Sequence, residues 1–146
     1  MRWDDEDGCR DTAARLARRP ALRHAFVALQ GGLGAGKTTF VRHLLRALGV
    51  AGRIKSPTYA VLESYELSGL QISHLDFYRF DDPREWEDAG LRDVFAEPGL
   101  KLVEWPDRAG ALLPVPDLIV TLTARGDTAR DVVFTACTLR GRELLP

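Results

Sequence analysis

Gly31, four intervening residues, then Gly36-Lys37-Thr38 stand at the spacing of a phosphate-binding loop. Each residue type has a physical reason to be there. The glycines at 31, 32, 34 and 36 let the backbone curl until successive N–H groups point into one concavity. That concavity opens onto the positive end of a helix dipole, which favours an anion. Lys37 adds a mobile charge for β- and γ-phosphates, and the Thr38 hydroxyl is a ligand for Mg²⁺. Gly34, Ala35, Gly36, Lys37, Thr38 and Thr39 are therefore the expected cradle of a nucleoside triphosphate. The bland alternative is a glycine-rich turn ahead of an ordinary helix.

The flanking residues argue against that alternative. Ala25-Phe26-Val27-Ala28-Leu29 is a short apolar run suited to a buried parallel strand. From Thr38 to Leu48, Phe40, Val41, Leu44, Leu45 and Leu48 fall on one helical face. Gly49 then stands where a C-cap would. Further strands are expected over 59–65 and 70–75, with Gly69 turning between them, and over 100–105. A hairpin is expected from 117–124 and 130–138, joined by 125–129. Helices are expected over 11–19, stopped by Pro20, and over 83–89, with a short helix or turn at 106–113. Residues 1–9, with their Asp4–Asp7 acidic run, are expected to be loosely ordered. The sum is one α/β domain over 1–146, a mostly parallel sheet flanked by helices with an antiparallel edge.

Two acids lie where such a site could use them. Asp76 closes an apolar strand in His74-Leu75-Asp76-Phe77-Tyr78-Arg79, a position from which a carboxylate reaches Mg²⁺ or its water. A structural acid paired with Arg79 is the alternative. Glu104 ends the apolar run Leu100-Lys101-Leu102-Val103, where Mg²⁺ ligation or orientation of an attacking water would explain a charge. Otherwise it is a strand end emerging into solvent. Trp105 either lies beside a nucleotide or packs. His74 reads as structural, and Ser56-Pro57-Thr58 as turn chemistry with a hydroxyl at Thr58 on a loop.

The chain has 146 residues, 45% hydrophobic and 28% charged, enough for a core of its own. Its 20 basic and 21 acidic residues give a net charge of −1, which argues against tight nonspecific binding to nucleic acid. Arg15, Arg18, Arg19, Arg23, Arg42, Arg46, Arg53 and Lys55 all precede position 56 and leave room for a local basic face. Cys9 and Cys137 make neither a disulfide framework nor a metal cluster. No signal peptide and no run of ~18 apolar residues is visible, so a cytoplasmic protein is expected.

Four segments in this order and spacing resemble the TsaE family of small bacterial P-loop ATPases: Gly-Gly-Leu-Gly-Ala-Gly-Lys-Thr-Thr-Phe (31–40), Lys-Ser-Pro-Thr-Tyr (55–59), His-Leu-Asp-Phe-Tyr-Arg (74–79) and Val-Glu-Trp-Pro (103–106). The resemblance implies an ATP- and Mg²⁺-binding protein that hydrolyses ATP slowly. It implies a role in forming threonylcarbamoyladenosine at position 37 of tRNAs reading codons that begin with A. The partner would be a complex of TsaB and TsaD, with tRNA met only weakly or through that complex. By the same resemblance Lys37 and Thr38 hold phosphate and Mg²⁺, Asp76 takes a Walker-B-like role and Glu104 helps hold Mg²⁺ or its water. Trp105 lies near the nucleotide and Thr58 in a switch-like loop. The segment near Thr12 and the hairpin near Gly126 and Arg130 are the implied neighbours of the adenine. Gly32 departs from the Asp or Glu common in the family, a change that removes no phosphate donor. A small-molecule kinase using the same loop is the alternative, although no arginine-rich lid is evident after the acidic stretch at 81–97.

Overall fold

The computed structural model describes residues 1–57, 61–82, 84–85 and 90–146. Seven strands make one sheet: β1 (Arg2–Trp3), β2 (Phe26–Gln30), β3 (Leu62–Leu67), β4 (Leu70–Asp76), β5 (Leu100–Glu104), β6 (Leu118–Arg125) and β7 (Ala129–Ala136). Their spatial order is β1-β7-β6-β2-β5-β4-β3. The four central strands, β6, β2, β5 and β4, run parallel, whereas β3 pairs antiparallel with β4 on one side and, on the other, β7 pairs antiparallel with both β6 and β1. The expectation of a mostly parallel sheet with an antiparallel edge is corrected accordingly: parallel pairing is confined to the centre, and both edges are antiparallel. The reason is local, since Ser68 and Gly69, with Gly69 at φ +73°, fold β3 straight back onto β4.

The helices are α1 (Glu6–Ala17), α2 (Lys37–Leu48), α3 (Arg92–Ala96) and α4 (Leu139–Arg142), with 3-10 turns at Pro20–His24 and Pro106–Leu112. Strand alternation divides the core in two. Val27 and Leu29 of β2 point to the side of α1 and α2, where they pack with Leu16, Phe40, Leu44, Ile72, Leu102 and Val120. Phe26 and Ala28 point to the other side and pack with Leu75, Phe77, Phe80, Leu91 and Val103. Buried on both faces, β2 reads as a continuous apolar run for that reason. Its entry is fixed by Asp117, whose carboxylate accepts from the Phe26 N–H at 2.8 Å and from the Thr138 hydroxyl at 2.7 Å. Among the described residues no helix is long and apolar enough to cross a membrane.

The N-terminus is the second correction. Residues 1–9 are ordered: Arg2 and Trp3 pair with Asp131 and Arg130 of β7. Trp3 is buried, stacks on Phe40 with ring centroids 5.5 Å apart, and donates its indole N–H to Thr12 at 2.8 Å. The acidic run that reads as a solvated tail starts a helix instead. Asp5 caps α1 by accepting from the N–H groups of Asp7 and Gly8, and Glu6 and Asp7 lie in the first turn, where the helix dipole favours anions. The helix therefore begins at Glu6, five residues before the expected Asp11. The expected helix over 83–89 falls largely outside the described residues.

Candidate functional site

The loop between β2 and α2 has a backbone that glycine alone tolerates at its start. Gly31 has φ +151°, and a Cβ there would stand 2.6 Å from the carbonyl oxygen of Leu122 in the neighbouring strand. Gly36, the residue before α2, sits at φ +104°. The first turn of α2 thus presents its free N–H groups to an open cavity of about 390 Å³ lined by Leu33–Thr39, Ser56, Asp76, Tyr78, Glu104, Trp105 and Arg130. That volume lies within the ordinary range of small-molecule sites, about 300–1,000 Å³.

Sheet geometry explains which acids arrive. On β4, His74 and Asp76 share a face with Ile72; on β5, Glu104 shares a face with Leu100 and Leu102; and all three apolar residues pack toward α2. Asp76 is paired directly across from Glu104 in the parallel register. The Glu104 carboxylate is 2% exposed, so the reading of a strand end emerging into solvent is excluded. Its Oε1 accepts from the Thr38 hydroxyl at 2.8 Å and its Oε2 meets His74 Nε2 at 2.6 Å. Trp105 would face away from Glu104 if the strand continued. Instead it adopts a left-handed backbone, φ 57° and ψ 51°, a conformation that costs a large L-residue about 1–3 kcal/mol. Glu104 and Trp105 consequently line the same cavity.

Lys37 is folded into the cradle. It is 5% exposed, and its ammonium donates to the carbonyls of Gly31 at 2.5 Å and Gly32 at 2.9 Å while lying 4.2 Å from the centre of the Trp105 ring. Burial pushes the ammonium below the ordinary lysine range, and the nearby Glu104 and Asp76 oppose that fall. Burial likewise raises the Asp76 carboxyl. The Tyr78 N–H, which donates to it at 2.9 Å, works against the rise, and the negative charge of Glu104 adds to it.

All of the expected site residues within the described chain converge here: the 34–39 cradle, Lys37, Thr38, Asp76, Glu104 and Trp105. Thr58 lies outside the described residues. Two contributors escaped sequence reasoning. His74, expected to be merely structural, contacts the central carboxylate, and its i, i+2 spacing from Asp76 was the available signal. Tyr78 packs against Trp105, ring centroids 5.0 Å apart. Arg130 of β7, named from the resemblance only as near the adenine, donates to the carbonyls of Ala35 at 2.9 Å and Gly34 at 3.3 Å, clamping the loop from 95 residues away. Beyond Gly36, Thr39 and Arg130 a second cavity of about 240 Å³ opens, lined also by Trp3, Asp5, Glu6, Cys9, Asp127 and Thr128. Burial pushes the Cys9 thiol up to about 12, an unreactive state.

A family model described as threonylcarbamoyl adenosine biosynthesis protein TsaE matches residues 3–132. The chain belongs to the TsaE family. Over 119 residues it is 40% identical to the tRNA threonylcarbamoyladenosine biosynthesis protein TsaE of Haemophilus influenzae, covering 82% of this chain and 75% of that one. The Bacillus subtilis TsaE protein of the same name is 38% identical over 123 residues, 84% and 77% of the two chains. The crystal structure of Bacillus subtilis YdiB superimposes with a TM-score of 0.79 at 29% identity, covering 99% of this chain and 88% of that one. The match to the TsaE model takes in both Trp3 of β1 and the Arg130 clamp.

Proposed function

We propose that this TsaE-family chain is a P-loop ATPase, a single domain over 1–146, that acts with a TsaB–TsaD-type complex in forming threonylcarbamoyladenosine on tRNA. One observation carries the reading: a glycine cradle, a lysine, a hydroxyl and two strand-end acids meet in one cavity at the start of α2. The family membership and the names of the relatives support the tRNA assignment and lend nothing to a small-molecule kinase.

The residues suit ATP and Mg²⁺. Among the described residues no group of three or more His, Cys, Asp or Glu is placed to hold a metal by itself. One hydroxyl and one carboxylate 2.8 Å apart, Thr38 and Glu104, are the oxygen ligands Mg²⁺ takes when phosphates and waters supply the rest. When bound, Mg²⁺ neutralises charge on the β- and γ-phosphates. The protein's part follows from the geometry. The α2 N–H groups hold the phosphates, and Lys37 leaves the Gly31 and Gly32 carbonyls to meet them. Thr38 and Glu104, now joined by a hydrogen bond, would be the residues that hold the metal. Asp76, made more basic by burial, orients the attacking water. The cavity beyond Gly36 and Thr39 takes the nucleoside, with Asp5 and Glu6 as acceptors for an exocyclic amine. Arg130 lines the site, but the carbonyls of Gly34, Ala35 and Ala129 hold its guanidinium. In this reading its part is to hold the loop in shape rather than to meet the phosphates.

The same clamp yields a prediction. Arg130→Ala should weaken ATP binding about tenfold, because the loop must then be ordered at the expense of binding energy, and a tenfold change corresponds to about 1.4 kcal/mol. Calorimetric titration with ATP–Mg²⁺ measures it, and an unchanged affinity refutes the clamp. The functional reading is tested by reconstitution. The chain is combined with its organism's TsaB–TsaD pair, threonylcarbamoyl-AMP, tRNA and ATP–Mg²⁺, and modified tRNA is counted per complex. Multiple turnovers should require the chain. Equal turnover without it would remove the tRNA role and leave a nucleotide site in need of another purpose.

A further inference from the structure

We propose that His74 is a positioning residue that holds one oxygen of Glu104 so that the other stays turned toward Thr38, where the divalent cation is taken up. The inference rests on the reading of this cavity as a magnesium–ATP site. His74 and Glu104 are 1% and 2% exposed and their Nε2 and Oε2 atoms are 2.6 Å apart. A buried carboxylate accepts hydrogen bonds, so Nε2 carries the proton and donates it. Nδ1 has no partner among the described residues. A second proton there would be a buried donor without an acceptor, so the arrangement selects the Nε2–H tautomer.

The two Glu104 oxygens thereby have separate duties: Oε2 is tied to His74, and Oε1 faces the Thr38 hydroxyl at 2.8 Å. The position of His74 makes this possible. On β4 it stands across from Leu102, diagonal to Glu104, and on the same face as Asp76. Without this donor, Glu104 would be a buried carboxylate with one partner. Its Oε2 would then be free to turn, and Oε1 would no longer be held toward Thr38. Hydrogen-bond partners of metal-binding side chains carry roughly 10–100-fold in metal affinity.

The test uses the full chain, the non-hydrolysable analogue AMP-PNP and two variants. Calorimetry gives the AMP-PNP affinity in EDTA and, at saturating AMP-PNP, the Mg²⁺ concentration at half-saturation. For His74→Leu, AMP-PNP affinity in EDTA should stay within about twofold of the parent while the Mg²⁺ midpoint rises about tenfold or more. His74→Gln, whose amide nitrogen can occupy the Nε2 position, should bring the midpoint back to within about threefold. A merely structural histidine would instead lower metal-free AMP-PNP binding and leave the Mg²⁺ midpoint alone, and that outcome overturns the proposal. So does a His74→Gln variant no better than His74→Leu. Nitrogen NMR of the ligand-free chain should show the Nε2–H tautomer at His74, and the opposite tautomer also overturns it. A parent whose AMP-PNP affinity ignores Mg²⁺ overturns the magnesium–ATP reading and this proposal together. A responsive parent matched by His74→Leu overturns the proposal alone.

Discussion

Lys37→Ala should lower ATP affinity about 100-fold or more while leaving the fold as stable as before, or slightly more so. The ammonium is a charge held in a buried place, 5% exposed, by the two loop carbonyls of Gly31 and Gly32 and by the face of Trp105. Burial lowers its proton affinity, so the charged form is less comfortable in the folded chain than in water. Its removal relieves that cost at the same time as it deletes the cation for the phosphates. A charge-assisted hydrogen bond is worth about 1.5–3 kcal/mol, and a 100-fold loss of affinity is about 2.7 kcal/mol. Such opposite signs in function and stability mark residues retained for their chemistry. Titration calorimetry and thermal unfolding of the same preparation provide the two readouts. A variant that loses ATP binding and also melts several degrees lower would mean that Lys37 supports the loop rather than the ligand. Lys37→Arg should not rescue binding, because a planar fork cannot replace a compact ammonium in so confined a position.

Glu104→Gln should leave ATP binding within a few-fold of the parent and reduce single-turnover hydrolysis by two to three orders of magnitude, about 2.7–4 kcal/mol of barrier. The substitution keeps volume and shape at a site 2% exposed, which isolates the charge. A carboxylate accepts from both Thr38 and His74. An amide offers one acceptor oxygen and places an NH₂ against the other partner, so the paired arrangement is lost along with the anionic ligand. Rapid-quench measurement of phosphate release with enzyme in excess separates this chemical step from binding. Hydrolysis within threefold of the parent would show that Glu104 plays no part in it.

Much of this was open to sequence reasoning, and the exceptions share a physical cause. The β2–loop–α2 unit was legible because its signals are contiguous: an apolar run, glycines at fixed offsets, and a 3.6-residue repeat ended by Gly49. The β6–β7 hairpin was legible for the same reason. Asp76 and Glu104 stood out as charges ending apolar strands, and both reach the cavity. What was not legible depends on partners distant in sequence. Trp3 looked like part of a charged tail because its partner strand begins at Ala129. Arg130 could not be connected to Gly34 and Ala35 without knowing that β7 lies beyond β6. His74 was an intermediate case, because a single histidine in a strand is a weak signal until the neighbouring strand supplies the carboxylate diagonal to it.

The strand order also governs when a growing chain can acquire its site. β2, which carries the phosphate loop, is flanked by β5 and β6, both synthesised long after it. β1 waits still longer, for β7. On the ribosome the glycine loop and Lys37 therefore emerge early, but β2 lacks one of its two flanking strands until β6 has been made. Sheet pairing of this kind is nonlocal, slow to nucleate and exposed to misassembly while incomplete. The Arg130 clamp on the loop has to wait for β7. A nascent chain cut short before β6 and β7 accordingly carries the nucleotide-binding motif without strands that give it shape, and competence is acquired in one step when that hairpin is made rather than in proportion to the length synthesised.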